Sequence, residues 1–131
     1  MTKTFAPGFE PGQIWRYHHR PGEDQSLLAV LAVRDDEKLG AICSIAIAGV
    51  AIANPHVADG IQRHLPHAPI SAEVLAGSVI ELVATDGPTA DHADFAEAYQ
   101  QWLEPFERRE AGVFTITPAE IVSLIEDTVR V

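Results

Sequence analysis

The chain has 131 residues, with 19 acidic side chains against 9 basic ones and a formal net charge of −10. That length fits one domain able to bury roughly two-thirds of its unfolded surface, so no disulfide or metal staple is required. The acidic excess argues against nucleic acid, whose binding needs Lys and Arg to displace counterions, and against an anionic membrane surface; it suits a basic protein partner, whose approach it accelerates.

Residues 1–11 carry Pro7-Gly8 and Pro11-Gly12, both turn signals, and read as a loose lead-in that Phe5 and Phe9 pin to the core. Met1–Pro7 lacks the apolar centre of a signal peptide, and the apolar run 39–53 is broken by Gly49 and too short to cross a bilayer. These features predict a soluble cytoplasmic protein.

The stretch 12–53 reads as an antiparallel meander. In its first strand, Trp15 and Tyr17 alternate with Ile14, Arg16 and His18, which puts Trp15 and Tyr17 on the core face. Arg20-Pro21-Gly22-Glu23-Asp24 is a polar turn. The run 26–34 is apolar on both faces, as a central strand covered on both sides should be. A third strand over 41–47 leads to Ala48-Gly49, read as a hairpin turn into a fourth strand over 50–53. Cys43, the single cysteine, lies in the third strand; no intramolecular disulfide can form, and an inert buried thiol is the reading.

Residues 54–69, with three prolines, read as irregular. Ser71 is a candidate N-cap for a helix over 72–83, whose Leu75, Val79, Leu82 and Val83 form an apolar stripe. A second helix over 91–103 carries Phe95, Tyr99, Trp102 and Phe106 at helical spacing, with Pro105 stopping or kinking it; the aromatic row reads as core. Val113–Ile116 reads as a short strand joining the sheet edge. Thr117-Pro118-Ala119-Glu120 then starts a closing helix: threonine at N-cap, proline at N1 and glutamate at N3.

No phosphate loop, nucleophile elbow, paired-cysteine site or His-Glu-x-x-His motif is present. Three weaker groups carry polar chemistry. His56, His64 and His67 have a spacing that could place imidazoles near a metal, with Asp59 beside them, but Pro66 prevents a helical display; loop-bracing histidines are the default and no metal or other cofactor is expected. Asp91, His92 and Asp94 could pair as acid and base, although helix capping explains them. Arg16, His18, His19 and Arg20, with Arg34 on the neighbouring strand, form a basic cluster suited to an anion, a phosphodiester or an acidic loop; it could equally be a solvated face paired with Glu23, Asp24, Asp35 and Asp36.

Pro11-Gly12-Gln13-Ile14-Trp15, then Arg20-Pro21 and an apolar strand, resembles the opening of SH3-like small barrels of the PemK/MazF type over residues 11–34. That resemblance implies an RNA endonuclease using Arg16, His18, His19 or Arg20; the same barrel recurs in some immunity proteins. The chain departs from it in the Gly22–Ser26 insertion and in its acidity, where an RNA-cutting surface is basic. The stretch is also similar to a group of small bacterial proteins with a Gly-Gln-Ile-Trp opening and an Arg-Pro-Gly-Glu loop, a likeness that brings no activity with it.

The resulting expectation is a single α+β domain, a small bent antiparallel sheet or partial SH3-like barrel covered by two or three helices. The leading function is a non-enzymatic interaction protein of immunity or antitoxin kind with a basic protein partner. The alternatives are a PemK-like RNA endonuclease and a small-ligand binder with a pocket near Trp15 and Trp102.

Overall fold

One long strand, Gly40–Ala53, is the spine of the sheet. In the computed structural model, which describes residues 8–130, the chain is α+β, with a five-stranded antiparallel sheet and three helices. The elements are β1 (Ile14–Tyr17), β2 (Leu27–Asp36), β3 (Gly40–Ala53), β4 (Ile61–Ser71), α1 (Ala72–Ala76), β5 (Val79–Ala84), α2 (Ala93–Glu107) and α3 (Pro118–Val129). The strand order is β4-β3-β2-β1-β5, so the sheet is open, with β4 and β5 as its edges. No described helix is long and apolar enough to cross a membrane.

Several expectations are corrected. Ala48-Gly49 is not a hairpin turn: β3 runs through it, held between β2 on one side and β4 on the other. Gly49 takes φ +79°, and a Cβ there would lie 2.8 Å from the Ser26 Cα. Glycine is therefore needed at a bulge, where the β3–β4 register slips between Ala48 and Ile52. The stretch 54–69 is irregular only to residue 60; β4 follows despite Pro66 and Pro69. An edge strand tolerates proline because one side of its backbone has no ladder to serve, and Pro66 also sits where the register slips between Ile45 and Ile47.

The predicted helix 72–83 ends at Ala76. Val79–Ala84 instead forms β5 and pairs with β1, with register slips beside Ile80 and Val83. The sequence Val79-Ile80-Glu81-Leu82-Val83 is as suitable for a strand as for a helix, and the free edge of β1 decides between them. α2 continues through Pro105 to Glu107 instead of stopping before it. The 113–116 segment contributes a single parallel bridge, Phe114 to Ile70, on the outer edge of β4. α3 has the expected capping box: Thr117 Oγ1 accepts from Glu120 N–H at 3.2 Å while Glu120 Oε1 accepts from Thr117 N–H at 2.8 Å. Of the lead-in, Phe9 packs edge-on against Trp15 at 5.7 Å; Phe5 lies outside the described residues.

The two faces of the sheet are covered differently. Trp15, Tyr17, Leu28, Val30, Cys43, Ile45, Ile47 and Ile70 form one continuous core with Leu75 of α1 and Ile121 and Val122 of α3. Trp15 and Tyr17 thus face inward as the alternation predicts. Cys43 is fully buried and desolvation pushes its thiol up to about 12, so it stays protonated. The opposite face carries Ile14, Leu27, Ala29, Ser44, Ala46 and Ala48 and is covered only in part by α2.

Candidate binding cleft

The five residues of the predicted basic cluster do not converge on one site. Arg16 points away from the core and pairs with Glu81 of β5 at 3.2 Å. His18 is exposed, and its backbone N–H donates to Ser78 O. His19 uses Nδ1 to meet Arg20 O at 2.8 Å and lies edge-on to Tyr17. Arg34 sits on the α2 face, 5.5 Å from the Phe106 ring centroid and 3.7 Å from Glu107.

Arg20 is built into a clamp. Its guanidinium donates to the buried Glu23 at 2.7 Å, to Glu126 of α3 at 3.0 Å and to Ala51 O at 3.0 Å. Glu23 accepts from Ala51 N–H at 2.8 Å, and Glu126 from Ala53 N–H at 2.7 Å. β2 pairs with β3 only as far as Leu27–Ala48, so the last residues of β3 have no strand on that side. The two carboxylates and the guanidinium take the place of the missing ladder. The two carboxylates raise the Arg20 pKa, and the Ala53 N–H followed by Arg20 lowers that of Glu126.

The three candidate metal-binding histidines are not brought together, and no group of three His, Cys, Asp or Glu suited to a metal occurs among the described residues. His67 is turned to the α2 face. Its Nε2 meets Ser44 Oγ at 2.9 Å, and its ring packs against Tyr99 at 5.7 Å and Trp102 at 5.4 Å. Burial there pushes its pKa down to about 4, so it is neutral at physiological pH. His92, rather than either aspartate, is the N-cap of α2, its Nδ1 accepting from Asp94 N–H at 3.1 Å, while Asp94 lies in the first turn and Asp91 accepts from the Thr89 hydroxyl.

The α2 face holds a cleft of about 620 Å³. Register places its floor: Ile14 pairs with Ala29, Ala29 with Ala46, and Leu27 with Ala48, so apolar side chains from three adjacent strands, with alanines on two of them, form one surface. His64 and Pro66 of β4 make one wall, and Pro88, Asp94 and Phe95 the other. The second wall is anchored by backbone: Gly87 N–H donates to Gly12 O at 2.8 Å, and Ala90 N–H to Leu31 O at 3.0 Å. Leu31 is the residue at which the β2–β3 register slips, which frees its carbonyl for this bond. A Cβ at Gly87 would come within 2.7 Å of the Ile14 side chain and 3.0 Å of Gly12 O, so any larger residue here would have to push Ile14 aside on the floor.

A volume of this size, mostly apolar with a few polar groups at its rim, is what a ligand or docking side chain requires. Trp15 and Trp102 lie on opposite faces, so no one pocket joins them, and neither lines this cleft. The sequence reading missed Ala29, Ala46 and Ala48. Their signal was the placing of alanine, a residue depleted in strands, at three strand positions. No protein-family model, curated protein or solved structure matches the chain.

Proposed function

We propose that the protein is a non-enzymatic interaction domain, of immunity or antitoxin kind, that binds a basic protein partner. The observation that carries this reading is the state of the arginines. All seven have a carboxylate within 4.0 Å, so no guanidinium is left uncompensated for an anionic substrate, while acidic side chains outnumber basic ones 19 to 9. A field of that sign accelerates association with a basic surface and makes it salt-dependent. The test is cross-linking in the native host followed by reconstitution with the purified captured protein. The expected partner is basic and loses affinity as salt rises; a captured set that is acidic, or binding indifferent to salt, overturns the reading.

The RNA-endonuclease alternative has one feature in its favour, the exposed His18 beside Arg16. Cleavage of single-stranded RNA by the purified chain, lost in His18→Ala, would establish it instead.

A further inference from the structure

We infer that the cleft between the sheet and α2 is the docking site for the partner, and that it takes a large apolar side chain flanked by lysine or arginine. The inference rests on the basic-partner reading above and assigns it a place.

Three observations meet at the cleft. The first is a half-covered sheet face. α2 packs its aromatic row over Ser44 and His67, but Ala29, Ala46 and Ala48 carry side chains too short to close the surface over them. A sheet face normally needs a covering layer, and alanine recesses the floor so that a visiting side chain can reach it. The second is the rim. Asp94 borders both the cleft and an adjoining hollow that Asp86, Pro88, His92 and Phe95 also line. The Asp94 side chain is 77% exposed, its one ion-pair neighbour among the described residues being His92 at 3.8 Å, while Arg16 and Arg34 are already paired with Glu81 and Glu107. Cations of a partner would meet carboxylates there. The third is the net charge of −10, which makes a second copy of this chain a poor occupant, since two such surfaces repel.

The other apolar surface, edge strand β5 with Ile80, Leu82 and Val83 exposed, fits a strand-pairing partner less well. Its register slips twice in six residues, and bulges twist an edge away from further pairing.

The experiment is a methyl-resolved NMR titration of the full chain with two short probe peptides sharing a Leu-Trp centre, one flanked by lysines and the other by glutamates. The lysine probe is expected to shift the methyls of Ala29, Ala46 and Ala48, and the glutamate probe to leave them in place. Ala48→Leu, at an exposed position that tolerates the larger side chain, should weaken the lysine probe at least about tenfold. Asp94→Asn should weaken it about threefold and flatten its salt dependence. Equal binding of both probes, or an Ala48→Leu variant that binds like the parent, overturns the site. So do the same shifts produced by indole alone, which mark a small-molecule pocket, or by raising protein concentration, which mark self-association. A lysine probe that moves Ile80 and Leu82 instead sinks the cleft but leaves the basic-partner reading standing. One that moves nothing sinks both.

Discussion

The two faces of the sheet use the same five strands to opposite ends. On the face under α1 and α3, the strands supply Leu28, Val30, Ile45, Ile47 and Ile70, all 1% exposed or less, and Leu75, Ile121, Val122, Phe9 and Phe114 pack with them in one core. On the other face the same strands supply Ala29, Ser44, Ala46 and Ala48, and α2 covers only part of them. Close packing on the first face makes it intolerant of change, whereas the second has room left in it. Stability and binding are therefore divided between faces, and a substitution's effect should depend on which way the residue points more than on which strand holds it.

The largest effect should come from the closed face. Ile45→Ala removes a fully buried side chain from the middle of the spine, and a loss of about 4 kcal/mol is expected in urea denaturation. A loss below about 1 kcal/mol would mean that this face is not the rigid one. Next is the clamp that ties α3 to the overhanging end of β3. Glu23→Ala leaves the Ala51 N–H without its acceptor and Arg20 with one carboxylate instead of two, and should cost about 3 kcal/mol. Arg20→Ala with near-native stability would show that the clamp is incidental and would restore Arg20 as a candidate binding residue.

On the open face, His67 gives a pH-dependent test. Its folded pKa, about 4, lies below the ordinary value of 6.5. As pH falls through 6.5 the unfolded chain takes up the proton first, so stability contributed by the neutral ring is present above that pH, declines between 6.5 and 4, and levels off below. Its size is about 2 kcal/mol once partial exposure is allowed for. Because carboxylates titrate in the same range, the readout is the difference from His67→Gln, which keeps a side chain able to bond Ser44 and loses the titration. Parallel pH curves for the two proteins would show that α2 does not bury His67 in solution.

Much of this division was legible in the sequence, and the unread part has a common cause. Alternation in β1 placed Trp15 and Tyr17 inward and Arg16 outward, and Thr117 with Glu120 announced α3, because both signals are local. The aromatic row of α2 was visible, but which face of the sheet it covers depends on topology. β5 was misread because Leu75, Val79 and Leu82 satisfy helical spacing, and only the vacant edge of β1 makes 79–84 a strand. The cleft was illegible for a stronger reason. Its floor comes from three strands whose registers are set by bulges at Leu31, Gly49 and Pro66, and a slip of one residue would turn Ala46 into the core and Ile45 into the floor. The basic cluster looked like a site because Arg20 is near Arg16 in sequence and Arg34 was expected beside it on the neighbouring strand. The fold sends one to a clamp under α3 and the other to α2, on the far face.

The smallest expected effect bears most directly on the comparison. Ala48→Leu adds three carbons to the open face at an exposed position on the cleft floor. The strands need not move to admit them, so the melting curve should stay within about 0.5 kcal/mol of the parent. The equivalent enlargement on the closed face, Ala68→Leu at 1% exposure, has no such room and should cost about 1–3 kcal/mol through overpacking. If both substitutions are tolerated equally, the closed face has slack that its packing does not show. If both are costly, the space over Ala48 is not open in solution, and a docking site cannot be there.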